Sequence, residues 1–143
     1  MITKPTLVDT APSFYDDRGY FQEILRNTAL PFPVKQIAMS QTFPGVIKAF
    51  HRHKVQWDYW YLVSGQLKIF TWDDNGEILP FHLAGEDHKM LIIPPGWWHG
   101  YKVVGTEPSH MLYMLSEEYD INNPDEEKTS PYKSIVNWDT ENR

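Results

Sequence analysis

The chain has no cysteine among its 143 residues, so no disulfide can staple it and a cytosolic setting is the plain reading. It has no apolar run long enough to span a bilayer, and residues 1–30 hold no apolar core of signal-peptide length. It also has no basic run. Thirteen Lys and Arg against nineteen Asp and Glu leave a net charge of −6, which argues against a nucleic-acid partner. No segment sustains a helical period, and there is no internal repeat, linker or low-complexity tract. These absences lead us to expect one soluble, cytoplasmic domain over residues 1–143, without membrane or nucleic-acid contacts. That length suffices to bury a core.

Aromatic residues are abundant: six Trp, eight Tyr and seven Phe. Short β-rich runs recur at Val34–Phe43, Val46–His51, Tyr59–Val63, Gln66–Trp72, Ile78–Leu83, Lys89–Ile93, Tyr101–Val104 and Met111–Leu115, with turn residues between them. Asn75-Gly76 predicts a type I′ hairpin turn, and Pro44-Gly45 and Pro95-Gly96 mark two more turns. From Glu117 onward the chain reads as loop or short helix, ending in a docked strand around Ile135–Trp138. The run Asp120–Glu127 reads as a solvated acidic loop. Eight or more short strands predict an all-β sandwich or barrel of the jelly-roll kind.

The chemistry concentrates in GVIKAFHRHKVQWDYWYLVSG, residues 45–65. Strand residues i and i+2 share a face, so His51 and His53 are expected to project together, along with Ile47 and Ala49. A second signature, PPGWWH at Pro94–His99, delivers a third histidine after a tight turn. Imidazole is the side chain best suited to proton transfer near neutral pH and the commonest metal ligand. Trp57, Trp60, Trp97 and Trp98 read as packing residues, and His82, His88 and His110 carry no motif.

The spacing G-x5-H-x-H-x4-D-x6-G followed by P-x-G-x2-H resembles the cupin β-barrel pattern, with Asp58 where the usual metal-binding glutamate stands. Within that fold the chain resembles the dTDP-4-dehydrorhamnose 3,5-epimerases (the RmlC-like cupins). Asp17-Arg18-Gly19-Tyr20-Phe21-Gln22-Glu23 is similar to their D-x-R-G-x-F-x-E segment. Residues 45–51 are similar to their G-V-x-R-G-x-H strand, and residues 93–101 to their I-P-x-G-x-x-H-G-F turn. Leu112-Tyr113 falls where they have Y-K, and residues 135–139 resemble their closing I-x-W-x-D segment.

The resemblance implies an epimerase acting at C3, C5 or both of a nucleotide-linked 4-keto-6-deoxy sugar in surface-polysaccharide synthesis. It makes His51 the base and Tyr113 the acid. Arg18 would hold the diphosphate and Phe21 and Glu23 the thymine, offered across a homodimer to the partner's site; Gln36, Lys48, His53, Asp58 and His99 complete the expected substrate contacts. The resemblance implies no cofactor.

Three departures bear on the chemistry. Asp58 stands where the family has a catalytic lysine. The aspartate that orients the family's histidine comes from a C-terminal extension that has no counterpart in these residues, which leaves Asp58 to orient His51. The pair His51-Arg52-His53-Lys54 is instead similar to the H-A-H-K strand of dTDP-sugar 3,4-ketoisomerases, making ketoisomerisation the second reading. A metal-dependent cupin with ligands His51, His53, Asp58 and His99 is a third, and a non-catalytic sugar-binding cupin a fourth.

Overall fold

Alternation with a period of two governs the middle of the chain, and it builds two sheets that share an interior. The computed structural model describes residues 1–12 and 14–143. Its strands are β1 (Thr6–Asp9), β2 (Phe14–Asp16), β3 (Gly19–Phe21), β4 (Gln36–Thr42), β5 (Ile47–Arg52), β6 (Asp58–Ser64), β7 (Gln66–Trp72), β8 (Ile78–Ala84), β9 (Lys89–Ile93), β10 (Trp98–Val104), β11 (Ser109–Leu115) and β12 (Glu127–Lys128). One antiparallel sheet has the order β1-β9-β6-β11-β4 and the other β12-β5-β10-β7-β8, while β2 and β3 form a separate hairpin. This is the jelly-roll architecture expected from the strand spacing.

The shared interior takes Trp60, Leu62, Leu91, Ile93 and Met111 from the first sheet and Leu67, Ile69, Leu83, Tyr101 and Val103 from the second. Burying each of the larger side chains stabilises the fold by roughly 1.5–3 kcal/mol. The alternate residues of β6, Tyr59 and Tyr61, point the other way. They join Met90, Ile92 and Met114 beneath Ile24, Leu25, Leu30 and Val34, so β6 is buried on both faces. A third cluster, Phe50, Trp98 and Trp138, covers the outside of the second sheet. The four tryptophans read as packing residues all pack against these clusters.

Three local expectations are corrected. The predicted strand around Ile135–Trp138 is absent; that segment docks through Trp138, which stacks on Phe50 and donates Nε1–H to the Pro131 carbonyl at 2.8 Å. The turn at Asn75-Gly76 is not type I′, because only Gly76 has positive φ (86°). Gly76 N–H bonds the Asp73 carbonyl at 3.2 Å, and Asp73 N–H bonds the Glu77 carbonyl. These are the marks of a type I turn closed by a left-handed glycine, and the Asp73 carboxylate, accepting from Asn75 and Glu77 N–H, favours it.

The third correction sets the site. Moving from His99 to Tyr101 on β10 takes two steps, but the partners on β5 run from His51 to Lys48, three steps. The extra residue is a β-bulge, and it reverses the face of everything before it. Ile47 and Ala49 therefore pack outward against the Phe50–Trp98–Trp138 cluster, while Lys48 lines the same cavity as His51. The bulge fits because Gly100 lies opposite. A Cβ there would strike the Ala49 side chain, with Ala49 Cα at 2.7 Å and the Lys48 carbonyl oxygen at 2.9 Å. Two of those contacts are backbone and cannot swing aside. Gly100→Ala should therefore lower stability by about 1–3 kcal/mol in chemical denaturation. An unchanged midpoint would show that the bulge does not depend on this glycine.

Candidate active site

A cavity of about 260 Å³ opens between the sheets, lined by Lys48, His51, His53, Gln56, Asp58, Trp60, His99, Tyr101, Tyr113 and Glu126 among others. The three histidines singled out by spacing do converge there. His51 sits on β5, His53 just beyond its end and His99 on the neighbouring β10. Tyr113, on β11, belongs to the opposite sheet, so it faces His51 across the space between the sheets.

His51 is met by a residue that sequence reasoning missed. Its Nδ1 lies 2.7 Å from Glu126 Oε1, although the alignment is too poor for a hydrogen bond. Glu126 belongs to a strap, Asp125–Thr129, laid along β5 by main-chain bonds between Phe50 and Thr129 (3.1 Å each way) and by the pairing of β12 with β5. Three consecutive residues of the strap each meet one basic side chain at or just beyond the end of β5. Glu127 accepts from Arg52 at 2.9 Å, and Asp125 offers its carbonyl to His53 Nδ1 at 2.6 Å. The Asp125 carboxylate also accepts the N–H groups of Lys54, Val55 and Gln56 at 2.7–2.9 Å, which fixes the loop after β5. Arg52 bonds Asp74 as well and stacks over Trp98 at 4.3 Å. Residues 120–124 of the stretch expected to be a solvated acidic loop are exposed, whereas Asp125, Glu126 and Glu127 lie against the strand and Glu126 lines the cavity. The strap's only sequence signal is the complementarity of Asp-Glu-Glu to His-Arg-His.

Asp58 does not orient His51, as expected; it lies between the other two histidines. Its Oδ1 is 3.6 Å from His53 Nε2 and its Oδ2 3.5 Å from His99 Nε2. Gln56 Nε2–H donates to Oδ1 at 2.8 Å and Trp60 Nε1–H to Oδ2 at 3.2 Å. His99 turns its Nδ1 to the Trp97 carbonyl at 2.9 Å. Of the four side chains expected to gather should a metal bind, three come together and His51 does not.

Burial is the largest influence on His53 and pushes its pKa down, but the Asp58 carboxylate and then the Asp125 carbonyl and charge outweigh it, raising it to about 9. Burial holds His99 near 4, only partly opposed by Asp58. Burial raises Asp58, yet its imidazole and amide neighbours win and hold it below the usual carboxylate range. Tyr113 is pushed up, first by burial and then by Tyr101, whose Oη is 2.8 Å away; Ser40 donates to the same oxygen at 2.9 Å. Tyr113 therefore keeps its proton at neutral pH.

The remaining expected contacts lie elsewhere on this chain. Arg18 and Phe21 sit on the exposed β2–β3 hairpin, Arg18 forked onto Asp16. Glu23 pairs with Arg26 at 2.7 Å. Gln36 accepts from Tyr119 N–H at 2.8 Å, outside the cavity.

Residues 14–127 match the family model for the polysaccharide biosynthesis C-terminal domain. The chain belongs to this family. The spore coat polysaccharide biosynthesis protein SpsL of Bacillus subtilis is 34% identical over 137 residues, covering 90% of this chain and 91% of that protein. The probable low-salt glycan biosynthesis epimerase Agl13 of Haloferax volcanii is 32% identical over 126 residues, 82% of this chain and 80% of that one. The crystal structure of dTDP-4-dehydrorhamnose 3,5-epimerase from Sulfolobus tokodaii superposes with a TM-score of 0.81 at 27% identity, over 96% of this chain and 82% of that one. The family's barrel is the RmlC-like cupin fold that the motifs resemble. Among the described residues, no helix is long and apolar enough to cross a membrane.

The opposed histidines give this member of the family a signed pH dependence. A raised pKa means that the His53 contribution to stability is complete below about 6.5 and lost as pH rises through about 9. The depressed pKa of His99 means that its contribution is complete above about 6.5 and lost as pH falls towards about 4. With the chain kept in chelator, so that no stray metal competes for the imidazoles, Tm should peak near pH 6.5 and fall on both sides. His53→Gln should remove the alkaline decline. A wild-type Tm that stays level between those limits would contradict the assignment.

Proposed function

We propose that this chain is a cytoplasmic, homodimeric epimerase acting at C3, C5 or both of a nucleotide-linked 4-keto-6-deoxy sugar, dTDP-linked in the first instance. The observation that carries the reading is the His51–Glu126 contact on one wall of a cavity whose facing sheet presents the protonated hydroxyl of Tyr113. An epimerase among the sequence relatives, the probable one of Haloferax volcanii, and an epimerase among the solved structures support it.

The chemistry follows from the ketone. A C4 carbonyl acidifies the hydrogens on its neighbouring carbons, because the electron pair left behind delocalises onto oxygen. His51 takes such a proton, and the nearby Glu126 carboxylate stabilises the imidazolium that forms. Tyr113 then returns a proton from the opposite sheet, which inverts the carbon. The enolate needs a positive charge, and Asp58 cannot supply it where the epimerases carry lysine. Lys48, turned to the cavity by the bulge and without an ion pair among the described residues, supplies that charge. The hairpin bearing Arg18 and Phe21, away from its own cavity, serves the second copy's nucleotide.

Incubation with dTDP-4-keto-6-deoxyglucose in D2O, followed by NMR, should place deuterium at C3 or C5 while the ketone stays at C4. His51→Gln should slow exchange roughly 10²–10⁴-fold. Glu126→Gln should lower kcat with little change in KM, and Glu126→Asp should restore part of it. A ketone found at C3 would select ketoisomerisation, for which His53 on the same wall is the favouring observation. No exchange with any 4-keto sugar nucleotide would sink both readings.

The assembly makes a separate prediction. Light scattering should give about twice the 16.8 kDa chain mass, and Arg18→Ala should raise KM without changing that mass. A monomer at assay concentration would remove the shared site.

A further inference from the structure

Four hydroxyl groups from three strands stand in file at the wall of the cavity that carries Tyr113. Ser40 Oγ–H donates to Tyr113 Oη at 2.9 Å, and Tyr101 Oη lies 2.8 Å from the same oxygen. Thr42 Oγ1 stands beyond, 3.2 Å from Tyr101 Oη. The strand pattern places them. β4 turns Ser40 and Thr42 inward, whereas the alternate residues Ile37, Met39 and Gln41 are exposed. Pairing of Met111 with Ser40 and of Ser109 with Thr42 sets that face beside the strand bearing Tyr113. Tyr101 reaches the file from β10 in the other sheet.

These hydroxyls sit where apolar groups are the rule. Tyr101 belongs to the apolar cluster between the sheets, and it and Thr42 are each 3% exposed. A hydroxyl buried in such a place is destabilising unless it is hydrogen-bonded. The family segment that residues 93–101 resemble ends in Phe, so the hydroxyl of Tyr101 is an addition to that pattern. Trp60 of β6 stands nearly perpendicular to both tyrosine rings, 5.7 and 6.1 Å away centre to centre, and packs them in place. Lys48 and His51 of β5 share the cavity with Tyr113, and Asp58 adds a more distant negative charge. Among the described residues, only Ser40 and Tyr101 bond to Tyr113 Oη.

We propose that Ser40 is a positioning residue for the acid, its hydroxyl aiming the Tyr113 oxygen and stabilising the phenolate left when the proton moves to carbon. Tyr101 and Thr42 brace that oxygen from the far side. When Tyr113 acts, its O–H bond breaks and the electron pair of the carbanion forms the new C–H bond. The oxygen keeps the pair from the broken bond until solvent returns a proton. Burial, the largest influence on Tyr113, opposes that charge. A hydrogen bond to an anion is about twice as strong as one between neutral groups. A fixed donor at Oη therefore acts mostly as the transfer proceeds, which is what speeds the chemical step. This role rests on the epimerase reading and names the group that gives its acid strength.

Ser40→Ala removes the donor and Ser40→Thr keeps it; circular dichroism checks that each variant folds. With dTDP-4-keto-6-deoxyglucose in D2O, the carbanion has two fates. Return from the His51 side deuterates the sugar with retention, and transfer from Tyr113 inverts it. Ser40→Ala should slow inversion roughly 10–100-fold, the effect of losing one hydrogen bond to a charged group. Deuterium uptake with retention should stay close to the wild-type rate, and Ser40→Thr should restore most of the inversion. A second measurement needs no substrate. With Tyr113 replaced by the more acidic difluorotyrosine, fluorine NMR follows the phenolate as pH rises. Ser40→Ala should move that titration up by roughly 1–2 pH units, the same fold-change, and Ser40→Thr should leave it in place. An unmoved titration overturns the role of Ser40, as does inversion that falls in step with retained uptake. A shifted titration in a chain that exchanges no 4-keto sugar nucleotide would sink the epimerase reading alone. A chain that epimerises with an unmoved titration would sink the Ser40 role alone.

Discussion

Three consecutive basic side chains, at the end of β5 and just beyond it, lie against three consecutive acidic residues of the strap, and the geometry of the cavity follows from that match. Glu126 stands beside His51, Glu127 holds Arg52, and the Asp125 carbonyl turns the ring of His53. The Asp125 carboxylate takes up three main-chain N–H groups that would otherwise be left without partners where the strand ends. Exposed ion pairs of this kind are each worth little, about 0–1 kcal/mol. Their value here is positional. They select one orientation for two imidazoles whose chemistry depends on which nitrogen faces the cavity.

β6 makes such selection possible by being buried on both faces. The first residues of β6 alternate between two apolar layers, so Asp58, at the start of that strand, cannot escape to water and must be satisfied in place. Gln56 and Trp60 supply donors from two residues away on either side. The resulting environment pushes two histidines only 5.1 Å apart, centre to centre, to opposite protonation preferences.

Much of this was legible beforehand, for physical reasons that differ between elements. β7 and β9 occupy the spans read from alternation, because turn residues bracket them and a buried face enforces the register. β2, β3 and β12 were not foreseen, since two or three residues with no buried face leave no period to detect. The convergence of His51, His53 and His99 followed from spacing and a Pro-Gly turn. The direction of Ile47 and Ala49 did not, because a bulge is decided by what lies opposite, here Gly100. Glu126 was hidden by distance. An acidic run looks solvated until the chain folds back on a strand it left far behind, and the Arg52–Glu127 contact spans 75 residues.

That separation carries a consequence for how the protein is made. The strands that form the body of the barrel, β4 to β11, all precede the strap in the chain. The strap has an edge to pair with only where β5 is in place, because its main-chain bonds run to that strand. The strap is thus the last part of the cavity wall to be synthesised, and until it pairs with β5 the His51 ring has no Glu126 carboxylate beside it.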